Sequence, residues 1–491
     1  MKKLHIIIIV SAALLITLGS CKKALDINHS PNSATNASPE LVLPNALKIT
    51  AAQPVTGFTF LQEWMGYWAP SGSYAAGPGD IASYFETNNG VGTGFFGSAY
   101  HNLEDYDYVE RQAIAENKPF YEAAAKIMKA YVFQMLVDTY GDVPYTQAFE
   151  GTKVIQPKYD KAQDIYDSLI NNLTLAVDLM QRPDATADAT SDIMFAGNTA
   201  GWIQFDNTLK LRMLVRLSNV AADASMIQTE IGKITANGVG FLTADAAVNP
   251  GYANNAGQQN PVYGFFVTLT GLPTSGGQAD FFRGSQYAIS TLQNLNDSRL
   301  DRLYAPGTSG MVGTEEGGTN NLGGGASATI GPGILKSVSQ PSILLSTAES
   351  YFLQSEAILR GWLSGDLTTM FHNGVQASFT FLGAGSATAY YSQPNKMTNI
   401  TACTTFAEKL ACIIRQKWIA EDGVQPFEAW CDYRRLRLPA DIPISVSSYK
   451  LPGAVIPARI LYPESEYETN TANVNAEGAI DSQTSKVFWA Q

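Results

Sequence analysis

Histidine and cysteine are scarce in this chain of 491 residues, with four of each. His29, His101 and His372 fall in no metal-ligand spacing such as HExxH, and no CxxC pair occurs. The sequence therefore supports neither a structural zinc site nor a transition-metal centre. There is no GxSxG elbow and no P-loop lysine motif, which removes the usual serine-hydrolase and nucleotide-phosphate signatures. Gly92-Thr93-Gly94-Phe95-Phe96-Gly97 does fit GxGxxG, but it follows Glu86-Thr87-Asn88-Asn89 rather than a strand, so a chance loop match explains it. Charged residues make up only 15% of the chain, and basic ones are the minority. Leaving out residues 1–20, which hold Lys2 and Lys3, 30 basic residues stand against 44 acidic ones, a net charge of −14. Such a surface repels phosphate backbones and argues against nucleic acid as a partner. Beyond residue 20 no segment has the length and apolarity of a transmembrane helix, which needs about 20 residues.

The chain opens on Lys2 and Lys3, an apolar run from Ile6 to Leu18, and then Leu18-Gly19-Ser20-Cys21. A basic start, a short apolar stretch and small residues before the cut describe a secretory signal over residues 1–20. With cysteine at the first mature position, the site looks like a bacterial lipobox, in which Cys21 is lipidated. The alternative is an ordinary signal peptide with a chance cysteine. In the lipobox reading the protein hangs from a membrane by lipid alone, its body in water. Of the remaining cysteines, Cys403 and Cys412 are near neighbours that an exported chain could oxidise, and Cys431 stands apart. Buried free thiols are the simpler reading.

A hydrophobic content of 45% is enough for a substantial core. Residues 21–37 read as an extended tether. Ser38-Pro39-Glu40 is a helix start, an N-cap followed by Pro at the first position. A second helix is expected over Phe58 to Trp68, and further helical periodicity over Ala99–Ala115, after Lys118-Pro119, and over Trp202 to Ala222. Asp160-Lys161-Ala162-Gln163 reads as a capping box that opens a helix carrying Ile165, Leu169, Leu173, Val177 and Met180. Helices are also expected over Ser342–Arg360, stopped by Gly361, over Asp366–Leu382, from Thr405-x-x-Glu408 through Trp418, and over Pro426–Leu436. Between them lie long irregular stretches: Pro70–Gly97, Gly238–Arg283, and Gly307–Gly333 with its ten glycines. Paired helices separated by long loops suggest tetratricopeptide-like stacking, although the strict 34-residue repeat signature is absent.

Two acidic residues at helical spacing, Glu349 and Glu356, lie on one helix face and could form a glycosidase pair. Apolar neighbours (Tyr351, Phe352, Leu353, Ile358) make burial against a basic partner, Arg415 or Arg434, the natural alternative.

Five strings then occur in order along the chain. They are Asp26-Ile27-Asn28-His29-Ser30-Pro31-Asn32, the turn Asp138-Thr139-Tyr140-Gly141-Asp142-Val143-Pro144-Tyr145, the stretch Pro341 to Gly361, Phe427 to Arg435, and Ile456 to Glu466. Behind a lipobox, this series resembles the SusD/RagB-type nutrient-binding outer-membrane lipoproteins of Bacteroidetes-like bacteria. The resemblance implies a mostly α fold over residues 38–491, four tetratricopeptide-like helix pairs with long irregular loops and minor β structure. It implies a non-catalytic protein of the outer membrane, facing the cell exterior, whose partner is a TonB-dependent SusC-like barrel. Its ligand would be a glycan or, as in some members, a peptide. A surface-attached glycoside hydrolase is the rival reading. No cofactor is expected; a structural calcium held by loop carboxylates and carbonyls would leave no mark in the sequence. Lys22 and Lys23 depart from the acidic residues common at this place in surface-exported lipoproteins, so surface exposure follows from the family and not from the export signal.

Sugar rings present apolar C–H faces to flat aromatics, and Asn, Asp and Arg serve their hydroxyls. The candidate ligand contacts are Trp68, Tyr74, Tyr84, Phe85, Asn88 and Asn89 at the first loop, and Tyr263, Phe281, Phe282, Arg283 and Tyr287 at the second. Trp68, Tyr84 and Phe282 are foremost among them. The alternative for each aromatic is that it packs its loop against the core.

Overall fold

The computed structural model describes residues 37–74, 77–79, 81–274 and 276–491, so the expected signal peptide, Cys21 and nearly all of the tether lie outside the described residues. Among the described residues there are eighteen α-helices and six short strands. Helix α1 (Pro39–Thr56) starts where Ser38-Pro39 places it, although the Ser38 side chain makes no cap bond. Helices α2 (Thr93–Ala115) and α3 (Pro119–Tyr140) are joined by residues 116–118. α3 is buried along its length except at Glu122, Lys126 and Lys129, which share one half-buried polar face.

Helix α4 (Ala162–Met180) buries Ile165, Leu169, Leu173, Val177 and Met180 on one face. Its start corrects the sequence reading, because Asp160 does not cap it. The Asp160 carboxylate accepts from the Tyr145 and Thr146 N–H groups at 2.8 Å each. Asp142 takes the capping role instead, accepting from Ala162 N at 2.8 Å. Gly141, at φ +80°, turns the chain after α3 so that Asp142 reaches the new helix end.

The scaffold continues with α5 (Thr199–Arg216), α6 (Ala224–Ala236), α7 (Thr347–Leu359), α8 (Leu367–Leu382), α9 (Phe406–Glu421) and α10 (Pro426–Leu436). The capping box of Thr405 and Glu408 is present, and Gly361 takes φ +73° just after α7. Two further expectations change. The helix expected over Phe58 to Trp68 is only Phe60–Trp64, because Gly66 at φ +71° turns the chain into a strand. Ser342–Leu345 is a strand, not the first turn of α7. Residues 224–236, not assigned from sequence, form α6.

α2–α3, α4–α5, α7–α8 and α9–α10 pack as four helix pairs, with α5 and α9 both against α7. A continuous hydrophobic cluster runs through them from Leu43 to Trp489. Cys403, Cys412 and Cys431 are buried free thiols within it.

Charge is buried between these helices as well. Arg212 Nε and Nη2 donate to the two Glu349 oxygens at 2.7 and 2.9 Å. Arg435 holds Glu356 at 2.6 and 2.8 Å, and Arg216 donates to Glu428 at 2.6 Å. The two glutamates are thus buried in ion pairs, but with Arg212 and Arg435. Arg415 serves Tyr287 and Asp441, and Arg434 serves the Asp138 and Ala458 carbonyls. The partners differ from Arg415 and Arg434 because pairing across the core depends on how α5, α7 and α10 meet, which spacing along one helix does not encode.

Candidate functional site

The six strands make three two-stranded antiparallel sheets: β1 (Trp68–Pro70) with β3 (Phe282–Gly284), β2 (Ala246–Val248) with β6 (Ser342–Leu345), and β4 (Tyr304–Ala305) with β5 (Thr329–Ile330). In the first, Trp68 lies opposite Gly284, Ala69 opposite Arg283 and Pro70 opposite Phe282. This pairing joins the ends of the two aromatic stretches that lie far apart in the chain. Gly284 is required by close approach, since a Cβ there would sit 2.6 Å from the Tyr304 ring. The glycine-rich segment closes over the sheet: Gly284 N donates to Ala328 O at 3.0 Å and Gly72 N to Leu322 O at 2.7 Å.

Aromatic rings step outward from this sheet. Trp68 lies 5.5 Å from both Phe266 and Phe282, Phe282 4.8 Å from Phe281, and Phe281 5.0 Å from Tyr74. Trp68 and Phe282 are buried, and Phe281 and Tyr74 are half-buried at the outer end of the steps. Beside the steps opens a cleft of about 530 Å³ lined by Phe266, Phe282, Asp280, Arg283, Thr308, Thr329 and the Gly324-Gly325 backbone. Other clefts reach about 350 Å³ between α1, β6 and α8, and about 330 Å³ between α2, α3 and α4. The larger cleft is distinguished by its base. Arg283 is only 5% exposed, yet its Nε has no hydrogen-bond partner. Its Nη2 makes one long bond to the Asp280 carbonyl at 3.4 Å and lies 4.0 Å from the Asp280 carboxylate. Burial lowers the Arg283 pKa, with Asp280 acting against that fall. An apolar aromatic wall beside a sparsely hydrogen-bonded guanidinium suits a ligand with apolar faces and outward oxygen acceptors.

The other sequence candidates are placed elsewhere. The Tyr84 side chain is buried edge-on to Trp64, 6.2 Å away, and its hydroxyl accepts from Ser445 N at 2.9 Å. Phe85 is 53% exposed. Asn88 donates to Tyr462 O at 2.7 Å and Asn89 to Glu464, so both tie their loop to the C-terminal segment. Tyr263 lies half-buried in the helix Pro261–Phe266, its N–H donating to Asn260 Oδ1 at 3.0 Å. Tyr287 packs on Trp418, 5.5 Å away, and accepts from Arg415 at 2.9 Å. Sequence reading missed Asp280, Thr308 and Thr329. The glycine-rich run is legible as irregular, but nothing local to it says which surface it closes over.

Behind β1, Tyr304 Oη donates to Asp422 Oδ2 at 2.6 Å, and the Trp68 side chain bonds the same carboxyl. Burial pushes the Asp422 carboxyl up to about 7, and these two donors only partly oppose it. A carboxyl whose folded pKa is raised binds more proton in the fold than in the unfolded chain, whose pKa is about 3.9. Its contribution is favourable at low pH and is lost as pH rises from that range to about 7. Relative to Asp422→Asn, the wild type should therefore lose about 1.4 kcal/mol of stability per pH unit across this window. Urea unfolding of both proteins through the window measures this; a pH-independent difference would show that the carboxyl is ionised in the fold.

Among the described residues no group of three or more His, Cys, Asp or Glu gathers to hold a metal ion. No helix among them is long and apolar enough to cross a membrane.

Solved structures with this fold include a SusD homologue from Bacteroides uniformis, with TM-score 0.76 and 22% identity over 92% of this chain and 99% of that one. A SusD-like protein from Bacteroides thetaiotaomicron matches with TM-score 0.76 and 22% identity, covering 92% of this chain and 98% of that one. A chitin-binding SusD homologue from Flavobacterium johnsoniae matches with TM-score 0.74 and 22% identity, covering 91% and 98% respectively. A comparison with curated proteins gave no match. Residues 31–463 match the SusD-like family described as starch-binding and associating with the outer membrane. Four helix pairs, little strand and a match over nearly the whole chain agree, and the chain belongs to the SusD-like family.

Proposed function

We propose that the protein is a non-catalytic, lipid-anchored binding protein of the outer membrane that captures an oligosaccharide in the cleft beside β3 and passes it to a TonB-dependent SusC-like barrel. The observation that carries this reading is the cleft itself, with the Phe266 and Phe282 rings on one side and the Arg283 guanidinium at its base. The family description, starch-binding, and the chitin-binding relative support a glycan as ligand. Burial of Glu349 and Glu356 in bidentate arginine pairs supports binding without hydrolysis, since a glycosidase pair must reach its substrate. Phe282 and Arg283, which line the cleft, and Phe281 and Tyr74, the next rings along the steps, are the residues we assign to ligand contact.

Calorimetry with a panel of oligosaccharides and peptides, followed by product analysis, tests the reading. Saturable binding of an oligosaccharide with no product released is expected, and EDTA should leave the affinity unchanged because no metal takes part. Released product would make the protein an enzyme, and binding of peptides alone would replace the ligand class. Cys21→Ala should leave the protein unprocessed or soluble. Retention of that variant in the detergent phase would place the anchor elsewhere.

A further inference from the structure

Buried arginines in this protein are compensated in one of two ways. Arg212, Arg299 and Arg435 hold carboxylates at 2.6–2.9 Å. Arg434 and Arg459 lie over aromatic rings and donate to main-chain carbonyls. Arg283 has neither arrangement. Its side chain is 6% exposed, and Asp280, at 4.0 Å, is the one carboxylate that near it among the described residues. Asp280 is itself 44% exposed and accepts from Gly276 N, so it stands off to the side. A guanidinium keeps its charge at any physiological pH, and a desolvated charge without a close counter-ion is costly.

We infer that the ligand of this cleft carries a negatively charged group, a carboxylate or sulfate on a sugar, which takes the Arg283 guanidinium as its counter-ion. This rests on the oligosaccharide reading of the cleft. Such a group offers its oxygens to the Arg283 guanidinium, whose Nη2 is held by one long bond and whose buried Nε has no partner in the protein. The close backbone at Gly324 limits where that guanidinium can move, since a Cβ there would sit 2.7 Å from Nη2. The protein's negative charge does not prevent this, because distant surface charges are screened beyond about 8 Å while the buried pair is not.

Isothermal titration with uronate oligosaccharides and their carboxyl-reduced forms, and with sulfated oligosaccharides and their desulfated forms, separates the possibilities. The charged member of the preferred pair should bind at least about ten-fold tighter, as expected for a hydrogen bond to a charged group. Arg283→Gln should abolish that preference and Arg283→Lys should retain part of it. Asp280→Asn, a change at a more exposed position, should increase the preference, which keeps the test open if Arg283→Gln fails to fold. Equal binding of charged and neutral members, or a preference that survives Arg283→Gln, overturns the inference while leaving the oligosaccharide reading intact. Binding of no oligosaccharide overturns that reading, and this inference with it.

Discussion

Glu428→Ala should lower the free energy of unfolding by about 3–5 kcal/mol, the range for removing one partner of a buried ion pair. Glu428 accepts from Arg216 at 2.6 Å and lies 3.5 Å from Arg212, with every side chain concerned at most 3% exposed. Deleting the carboxylate leaves Arg216 only Asp138 at 3.5 Å and leaves Arg212 only Glu349. Burial acts to raise the Glu428 pKa, but the Arg212 and Arg216 guanidinium groups outweigh it and hold the carboxyl below its ordinary range. A depressed folded pKa means that the contribution is complete above the ordinary carboxylate range and is lost as pH falls through the folded value. The gap between wild type and variant, measured by chemical unfolding, should accordingly be widest near neutral pH and narrow in acid. A variant within about 1 kcal/mol of wild type at neutral pH would show that the α5–α10 contact relaxes to let water reach the arginines.

Trp68→Ala and Phe282→Ala should each cost about 3–5 kcal/mol of stability, as large-to-small changes in a packed core do. Both rings are at most 6% exposed, and they pack 5.5 Å apart with Phe266 beside them. Phe281→Ala and Tyr74→Ala, at the rim, should keep the thermal transition while weakening oligosaccharide binding by about 1–3 kcal/mol each. Paired melting curves and calorimetry on the four variants separate the two buried rings from the two at the rim. Rim variants that bind like the parent would move the contact surface away from this cleft. A Trp68→Ala protein that melts like wild type would mean that β1 is held by its backbone and the Asp422 contact alone.

What can be read along the chain is whatever depends on neighbours within a turn or two. Pro426 at the first helical position, Asp366 and the Thr405–Glu408 box as caps, and Gly361 as a stop each act on backbone groups a few residues away, so α8, α9 and α10 were placed from sequence. The buried periodicity of α4 was legible for the same reason, and the five ordered strings carried the family. Ser342–Leu345 could not be read in this way. A short apolar run suits a helix or a strand equally, and its choice follows from Ala246–Val248 lying beside it. Asp160 carries a capping residue type but caps nothing at α4, because the Gly141 turn brings Asp142 there first. The aromatic stretches are visible as composition, yet only the β1–β3 pairing decides that Trp68 and Phe282 are buried while Phe281 stays half-buried. Arg283 shows the same division. Its identity is in the sequence, but its want of a close carboxylate is a property of the space around it. That space is set by Phe282, Asp280 and Gly324, and the last of these meets Arg283 only after the chain has folded back across β3.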